Sequence, residues 1–501
     1  MSPNGRPNKL IKNLLSVTGI VLLAKLLGFV KQMIKAQLFG ATPETDMLAL
    51  SEGVIHDVEY VLAQTLITVF VPIYHHAQAE DTKQAANFVS NSLKFFLLIG
   101  CAGACLIGFF APFVSKLIAP SYTPESARLL TVYIRIFAPG FVFIILIAYF
   151  AALLRANERF VLAEAVHLNQ SLLLIAVMLL FRRVFGVNSL AIGFYVYVGV
   201  NFALLLASSK TYRHIRRGGL SWDPYLKRLL YMTGAPLFGY SMVFINQLVD
   251  KILVSGLQSG ALTSMGYAAV LSNFVGAIIG SFCSVLYPYL SQSVAANDNQ
   301  YVIELVRRNM ILMVTLLLPV SVLTIFNAED IVTVVFARGA FGEEAILTTA
   351  RALTGYAFMF APLAMRDLFT RLFFCYQDSR RPTVNNIVGI LCNIALDIAL
   401  CPRFGVLGIT AATSFSVLVG AFLNFVTFYR KHRFFNLSPM LRYVPLWCMG
   451  AVACAFLCGF ASACFSEFHT LLKLILTFLL AGGGYLLVTF PALLYYVRRK
   501  P

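Results

Sequence analysis

The sequence predicts an all-α integral membrane protein with about fourteen transmembrane helices. Three observations predict it. The 501-residue chain is 59% hydrophobic and 12% charged, with a mean hydropathy of +0.79, whereas a soluble domain carries about a quarter of its residues charged. The apolar residues come in blocks long enough to cross a hydrocarbon core of about 30 Å. Those blocks are too uniformly apolar for the alternating pattern of a membrane strand.

The first block, 12–38, follows a basic N-terminus, contains Lys25 and Lys31, and has no small-residue cleavage site, so it reads as a first membrane helix rather than a removable signal. Blocks near 46–74, 92–119, 129–152, 160–181 and 187–208 complete a group of six. A second six follows near 229–256, 264–292, 309–327, 348–374, 383–401 and 406–428, and 443–465 and 471–496 close the chain. The loops alternate in charge. One side holds Arg6/Lys9/Lys12, Arg155/Arg159, Lys210/Arg213/Arg216/Arg217/Lys227/Arg228, Arg307/Arg308, Arg380/Arg381, Arg430/Lys431/Arg433 and Arg498/Arg499/Lys500, the other little beyond Lys116, Arg182/Arg183, Arg338 and Arg403. The bias is about fourfold and places both termini in the cytoplasm of a multi-pass inner-membrane protein.

This pattern also accounts for the net charge of +17. The basic residues sit in short loops, and no soluble basic face with interleaved aromatics exists to take nucleic acid. The ten cysteines lie mostly inside apolar blocks, and none forms a CxxC pair or a Cys/His cluster of metal spacing. No nucleophile sits beside a base and every loop is short, which argues against an enzyme.

An internal repeat emerges once the blocks are numbered. Residues 153–192 resemble 371–410, with Phe185-Gly186-Val187 answering Phe404-Gly405-Val406, and FVPIY (70–74) echoes LYPYL (286–290). Six spans repeating as six preserve orientation, so the halves are parallel repeats, a design suited to two bundles rocking around a central cavity. The expected organisation is an N-lobe over 1–208, a cytoplasmic amphipathic linker over 209–228, a C-lobe over 229–433 and two terminal helices over 434–501. In the linker, Leu220, Trp222, Tyr225 and Leu229 can lie in the membrane interface, or the segment is a plain basic connection.

Charges inside spans are costly, so each needs a partner, a watery cavity or a function. The first block carries Lys25, Lys31 and Lys35, and the second Glu52, His56, Asp57 and Glu59. They read either as static ion pairs that fix helix packing or as a cationic site for an anionic headgroup, with the carboxylates setting gating or pairing. In the second half Asp250, the pair Asn393 and Asp397 on one helical face, and Thr413 read either as hard oxygen donors suited to a small hard cation or as isolated polar residues that hydrogen-bond neighbouring helices. Arg366, Asp367 and Arg371 form a further charged group, facing a cavity or paired internally.

The runs KLLGFVKQMIKAQLFGATPETD (25–46), FVPIY (70–74), SGLQSGALTSMGYAAVLSNF (255–274) and RLFFCYQDSRRPTVNN (371–386) resemble the MurJ/MviN family of lipid II flippases, within the multidrug/oligosaccharidyl-lipid/polysaccharide exporter superfamily. The resemblance runs collinearly along nearly the whole chain. It implies a cavity between lobes in which Lys25, Lys31, Asp46, Glu52, Asp57, Glu59, Arg366 and Arg371 serve an undecaprenyl-diphosphate-linked precursor. It also implies a sodium site of Asp250, Asn393, Asp397, Thr413 and a carbonyl near Ile409, with Na+ as the coupling ion. Departures are present: the family's arginine in the second helix has no counterpart in HDVEY (56–60), its eighth-span acid-arginine is Ala269-Val270, and lysines replace two arginines, losing the bidentate fork that suits phosphate.

The function expected is therefore translocation of a lipid II-like cell-wall precursor across the cytoplasmic membrane, driven by membrane potential or a sodium gradient. The alternatives are a flippase for another lipid-linked polysaccharide unit, a cation-coupled multidrug exporter, or a membrane-embedded transferase or hydrolase. No obligate protein partner is expected.

Overall fold

The computed structural model describes residues 6–209, 220–432, 440 and 442–498. Among these residues there are eighteen helices and no strand. Lys210, Arg213, Arg216, Arg217, Arg433, Arg499 and Lys500 of the charge pattern lie outside them.

The helices are α1 (Arg6–Phe39), α2 (Pro43–Glu80), α3 (Thr82–Phe109), α4 (Ala111–Ile118), α5 (Pro124–Phe137), α6 (Gly140–Ala156), α7 (Phe160–Phe185) and α8 (Ser189–Ser209). They continue as α9 (Pro224–Ser255), α10 (Ala261–Ala295), α11 (Asn299–Phe326), α12 (Ala328–Phe336), α13 (Glu343–Ala357), α14 (Phe360–Cys375), α15 (Arg380–Phe404) and α16 (Val406–Lys431). Two more, α17 (Val444–Cys464) and α18 (Thr470–Arg498), end the chain. Ten stretches are long and apolar enough to cross a membrane, or eleven when the bent pair α5 and α6 counts as one span. The lysine-bearing α1 is not among them, and α7 and α8 enter as a single stretch of 50 residues. At 1.5 Å per residue that stretch would be about 75 Å long if straight, over twice the hydrocarbon thickness. A turn at Gly186 (φ +54°) instead folds α8 back onto α7.

Local chemistry explains where the helices begin. Thr42 caps α2 in a reciprocal box with Thr45, and Asp81, Thr123, Asp223 and Asp298 cap α3, α5, α9 and α11 with side-chain oxygens that accept from backbone N–H groups. Asp223 also accepts from the Asn91 amide at 2.7 Å, which ties the start of α9 to α3.

The chain separates into two compact units, Met1–Gly260 and Ala261–Pro501. Helix α9, expected with the second half, packs within the first unit against α2, α3 and α4. Of the four linker residues expected at the interface, Tyr225 and Leu229 are instead buried within this unit. The Tyr225 hydroxyl lies between the Glu80 and Gln84 side-chain oxygens, and of the four only Trp222 is exposed. A tyrosine with two side-chain acceptors on neighbouring helices gains more from protein than from headgroups.

The helix order repeats. The series α1, α2, α3/α4, α5/α6, α7, α8 is matched by α9, α10, α11/α12, α13/α14, α15, α16. The left-handed backbone positions repeat with it: Gly40 (φ +64°) with Gly260 (φ +80°), Glu158 (+59°) with Gln377 (+56°), and Gly186 (+54°) with Gly405 (+58°). A side chain is strained there, so matching outliers mark one backbone plan used twice.

Each unit has an aromatic core. In the first, Phe70, Phe88, Tyr149 and Phe150 interlock, and in the second Phe369, Phe373 and Phe428 do so. Outward faces are equally apolar, with Leu180, Val184, Val452 and Phe456 at least 70% exposed. In water such faces would associate or aggregate; in a bilayer they meet lipid at no cost.

Candidate functional site

Charged groups of the first unit gather around two faces of α2. Glu52, His56 and Glu59 recur at helical spacing and share one face. The His56 ring lies between the two carboxylates, with Nε2 3.5 Å from Glu52 and Nδ1 3.1 Å from Glu59. Its Nε2 also meets the Tyr197 hydroxyl of α8 at 2.8 Å, and the ring stacks on Tyr197 and meets Phe194 edge-on. Lys31 and Lys35 of α1 both lie within electrostatic range of Glu52, and Lys35 also of Asp46.

The second face, about 100° round the helix, holds Gly53, Asp57 and Tyr60 and meets α9. Lys251 of α9 pairs with Asp57, and its ammonium lies over Gly53, where a Cβ would come within 2.7 Å of Nζ. Tyr60 and Tyr240 meet edge to face one turn on. Both members of the Lys251–Asp57 pair keep about a fifth of their side chains exposed.

Not every nominated residue joins these clusters. Lys25 is exposed on α1, on a different face from Lys31; the residue beside Lys31 on the helix is Lys35, four residues on. Asp46 is buried in the first turn of α2, where its carboxylate accepts the Gly260 backbone N–H at 2.7 Å. In the second unit, Arg366 packs over Gly420 and pairs with Asp367 at 3.5 Å, while Arg371 donates to Gly280 O and Ser284 Oγ of α10. Five positions apart, the two arginines face different neighbours rather than one ligand. Tyr267 is buried between Phe336 and Phe341, and Ala268 beside it is fully buried, so this part of α10 is apolar packing.

Four of the five nominated cation ligands lie on the α15–α16 hairpin. Gly405 and Gly408 make that hairpin tight; a Cβ on Gly408 would lie 2.6 Å from Leu400 O. Asn393 and Asp397 are fully buried on α15, and the Asn393 amide donates to the Asp397 carboxylate. On α16 the Thr413 hydroxyl bonds the Ile409 carbonyl at 3.1 Å. The fifth, Asp250, lies on α9 in the first unit. Carboxylate, amide, hydroxyl and carbonyl oxygens are donor types that fit a hard cation.

Sequence reasoning did not single out Tyr197, Gly53 or Lys251. Tyr197 carries no charge to flag it, and a glycine signals only by what rests on it. Lys251 did have a signal, as a lysine inside an apolar span beside Asp250.

A family model described as lipid II flippase MurJ matches residues 35–481. A probable lipid II flippase MurJ of Rickettsia prowazekii is 24% identical over 413 residues, covering 79% of this chain and 80% of that protein. A solved lipid II flippase MurJ in an inward closed conformation superimposes with a TM-score of 0.79 at 19% identity, over 96% of this chain and 99% of the other. An inward-facing multidrug resistance transporter of the MATE family gives 0.67 at 12% identity, over 84% and 98%. At these identities the solved structures speak to the fold alone.

Proposed function

Because the chain belongs to the lipid II flippase MurJ family, we propose that it carries an undecaprenyl-diphosphate-linked cell-wall precursor across the bacterial cytoplasmic membrane by alternating access, with both termini in the cytoplasm. It is a multi-pass transporter rather than an enzyme. The observation that carries the reading is the Lys31/Lys35 pair on one face of α1, set against Glu52 and the His56 cluster of α2. Two adjacent ammonium groups suit an anionic diphosphate, while the carboxylates hold the site near neutrality without cargo. The polyprenyl tail stays in the bilayer, so the protein need only shelter the charged head.

The cycle is reset by cation binding or by the membrane potential. Asp397, Asn393, the Thr413 hydroxyl and the Ile409 carbonyl of the α15–α16 hairpin would hold Na+. A transmembrane potential contributes about 2.3 kcal/mol per charge per 100 mV, enough to bias such a cycle. Asp397→Ala should abolish sodium dependence and slow transport. Unchanged sodium dependence would remove this residue from the coupling.

Depletion of the protein in its host, with mass analysis of lipid-linked precursors on each membrane face, tests the cargo. Lipid II accumulating on the cytoplasmic face is the expected result. A second reading, another lipid-linked saccharide, is favoured by one observation: the α10 positions that hold the acid-arginine in the family are Ala269 and Val270, next to the apolar packing of Tyr267. Accumulation of a different polyprenyl-linked sugar with normal lipid II would establish that reading.

A further inference from the structure

We propose that Lys251 of α9 is an additional ligand for the phosphates of the lipid-linked substrate, and that Asp57 is the counter-ion it exchanges for them. The proposal rests on the flippase reading above and adds a residue, and an exchange, to it.

Four observations converge. First, a lysine in a span is costly without a partner or a polar ligand, and Lys251 is paired with a carboxylate from a different helix. Second, the ammonium packs closely on α2. The α2 residue beneath the ammonium is glycine, and a Cβ there would come within 2.7 Å of Nζ and 3.5 Å of Cε. A side chain at position 53 would therefore make the flexible end of Lys251 shift. Third, the pair is not sealed: Lys251 keeps 21% of its side chain exposed and Asp57 17%. That partial exposure leaves a ligand a route to the ammonium. Fourth, Gly53 and Asp57 follow Glu52 and His56 directly in sequence, so the lysine rests on the same two turns of α2 whose Glu52 lies within electrostatic range of Lys31 and Lys35 of α1.

These positions suggest a charge exchange. Without cargo, Asp57 neutralises Lys251. When diphosphate enters beside Lys31 and Lys35, its oxygens compete with Asp57 for the third ammonium. Three lysines from two helices then offer point charges where the family's arginines offer forks. Because the phosphate oxygens replace the carboxylate at the ammonium, Lys251 is made available without ever standing bare in the membrane, and the partly exposed Asp57 is left to solvent.

The test uses the full-length protein in nanodiscs, with undecaprenyl diphosphate as probe and undecaprenol, which lacks phosphate, as control. Binding is read by native mass spectrometry for wild type, Lys251→Gln, Asp57→Asn, the double variant and Lys31→Gln/Lys35→Gln. Lys251→Gln should weaken diphosphate binding about tenfold, the size of one charge-assisted hydrogen bond, and leave undecaprenol unchanged. Asp57→Asn should tighten diphosphate binding, because the competitor is gone, and the double variant should match Lys251→Gln alone. A purely structural pair predicts the opposite for Asp57→Asn, with binding unchanged or weaker. That result, or an unaffected Lys251→Gln while Lys31→Gln/Lys35→Gln loses binding, overturns the proposal and leaves the flippase reading standing. Wild type that does not distinguish diphosphate from undecaprenol would overturn both.

Discussion

Replacing Gly260 with alanine tests what Asp46 is for. Gly260 adopts φ +80°, and a Cβ there would lie 2.4 Å from Ala41 O and 2.9 Å from Ala41 C. Both are backbone atoms, so no side chain can swing aside. The left-handed conformation costs alanine about 1–2 kcal/mol, and forced overpacking adds about 1–3 kcal/mol. Gly260→Ala should therefore lose roughly 2–5 kcal/mol and stretch the 2.7 Å bond from its N–H to Asp46. Asp46→Ala leaves that donor without this acceptor, a loss of about 1–3 kcal/mol, while Asp46→Asn keeps an oxygen in place and should lose about 1 kcal/mol or less. The assay pairs thermal unfolding in detergent with rescue of cells depleted of the wild-type protein. If Asp46 serves the fold, loss of rescue follows loss of stability, in the order Gly260→Ala, Asp46→Ala, Asp46→Asn. Asp46→Asn that unfolds like wild type yet rescues nothing would refute this reasoning and return Asp46 to the substrate.

Two further outcomes follow from the second unit. Asp378, in the turn before α15, accepts from Arg381 Nη1 at 2.8 Å and Lys431 Nζ at 2.9 Å; burial acts to raise its pKa, but these bonds outweigh it and bring it from 3.8 to about 2. A depressed carboxylate stabilises the fold fully above its unfolded value and loses that contribution as pH falls through the folded one. The stability gap between wild type and Asp378→Asn, about 1 kcal/mol or less with partners this exposed, should thus hold constant above pH 3.8 and close as pH falls through about 2. A gap that persisted in acid would show that the contact is not ionic. Gly355 lies where α13 crosses α16, and a Cβ would come 1.9 Å from Thr410 Oγ1 and 2.9 Å from Ala411 N. Gly355→Ala should lower the unfolding temperature, and Thr410→Ala should rescue it only in part, because the backbone clash remains; full rescue would show that the backbone yields.

The membrane class, the apolar blocks and the doubled architecture were legible in the sequence because each depends on short-range properties. A run of apolar residues forms a helix in lipid whatever its neighbours do, and a repeated backbone plan leaves its glycines at matching positions, as Gly186 and Gly405 do. The buried pair Asn393 and Asp397 was legible for the same reason, since four residues on one helix always share a face. Which charges meet was not legible. His56 meets Tyr197 across 141 positions, Gly260 meets Asp46 across 214, and Lys251 meets Asp57 across 194. Hydropathy is blind to such pairings: it places each helix in the bilayer but not the rotation that decides which face meets which neighbour. Packing sets that rotation, through small contacts such as Gly53 beneath Lys251. It is why Lys25, equal to Lys35 on paper, stands on an exposed face while Lys35 lies within range of Glu52 and Asp46.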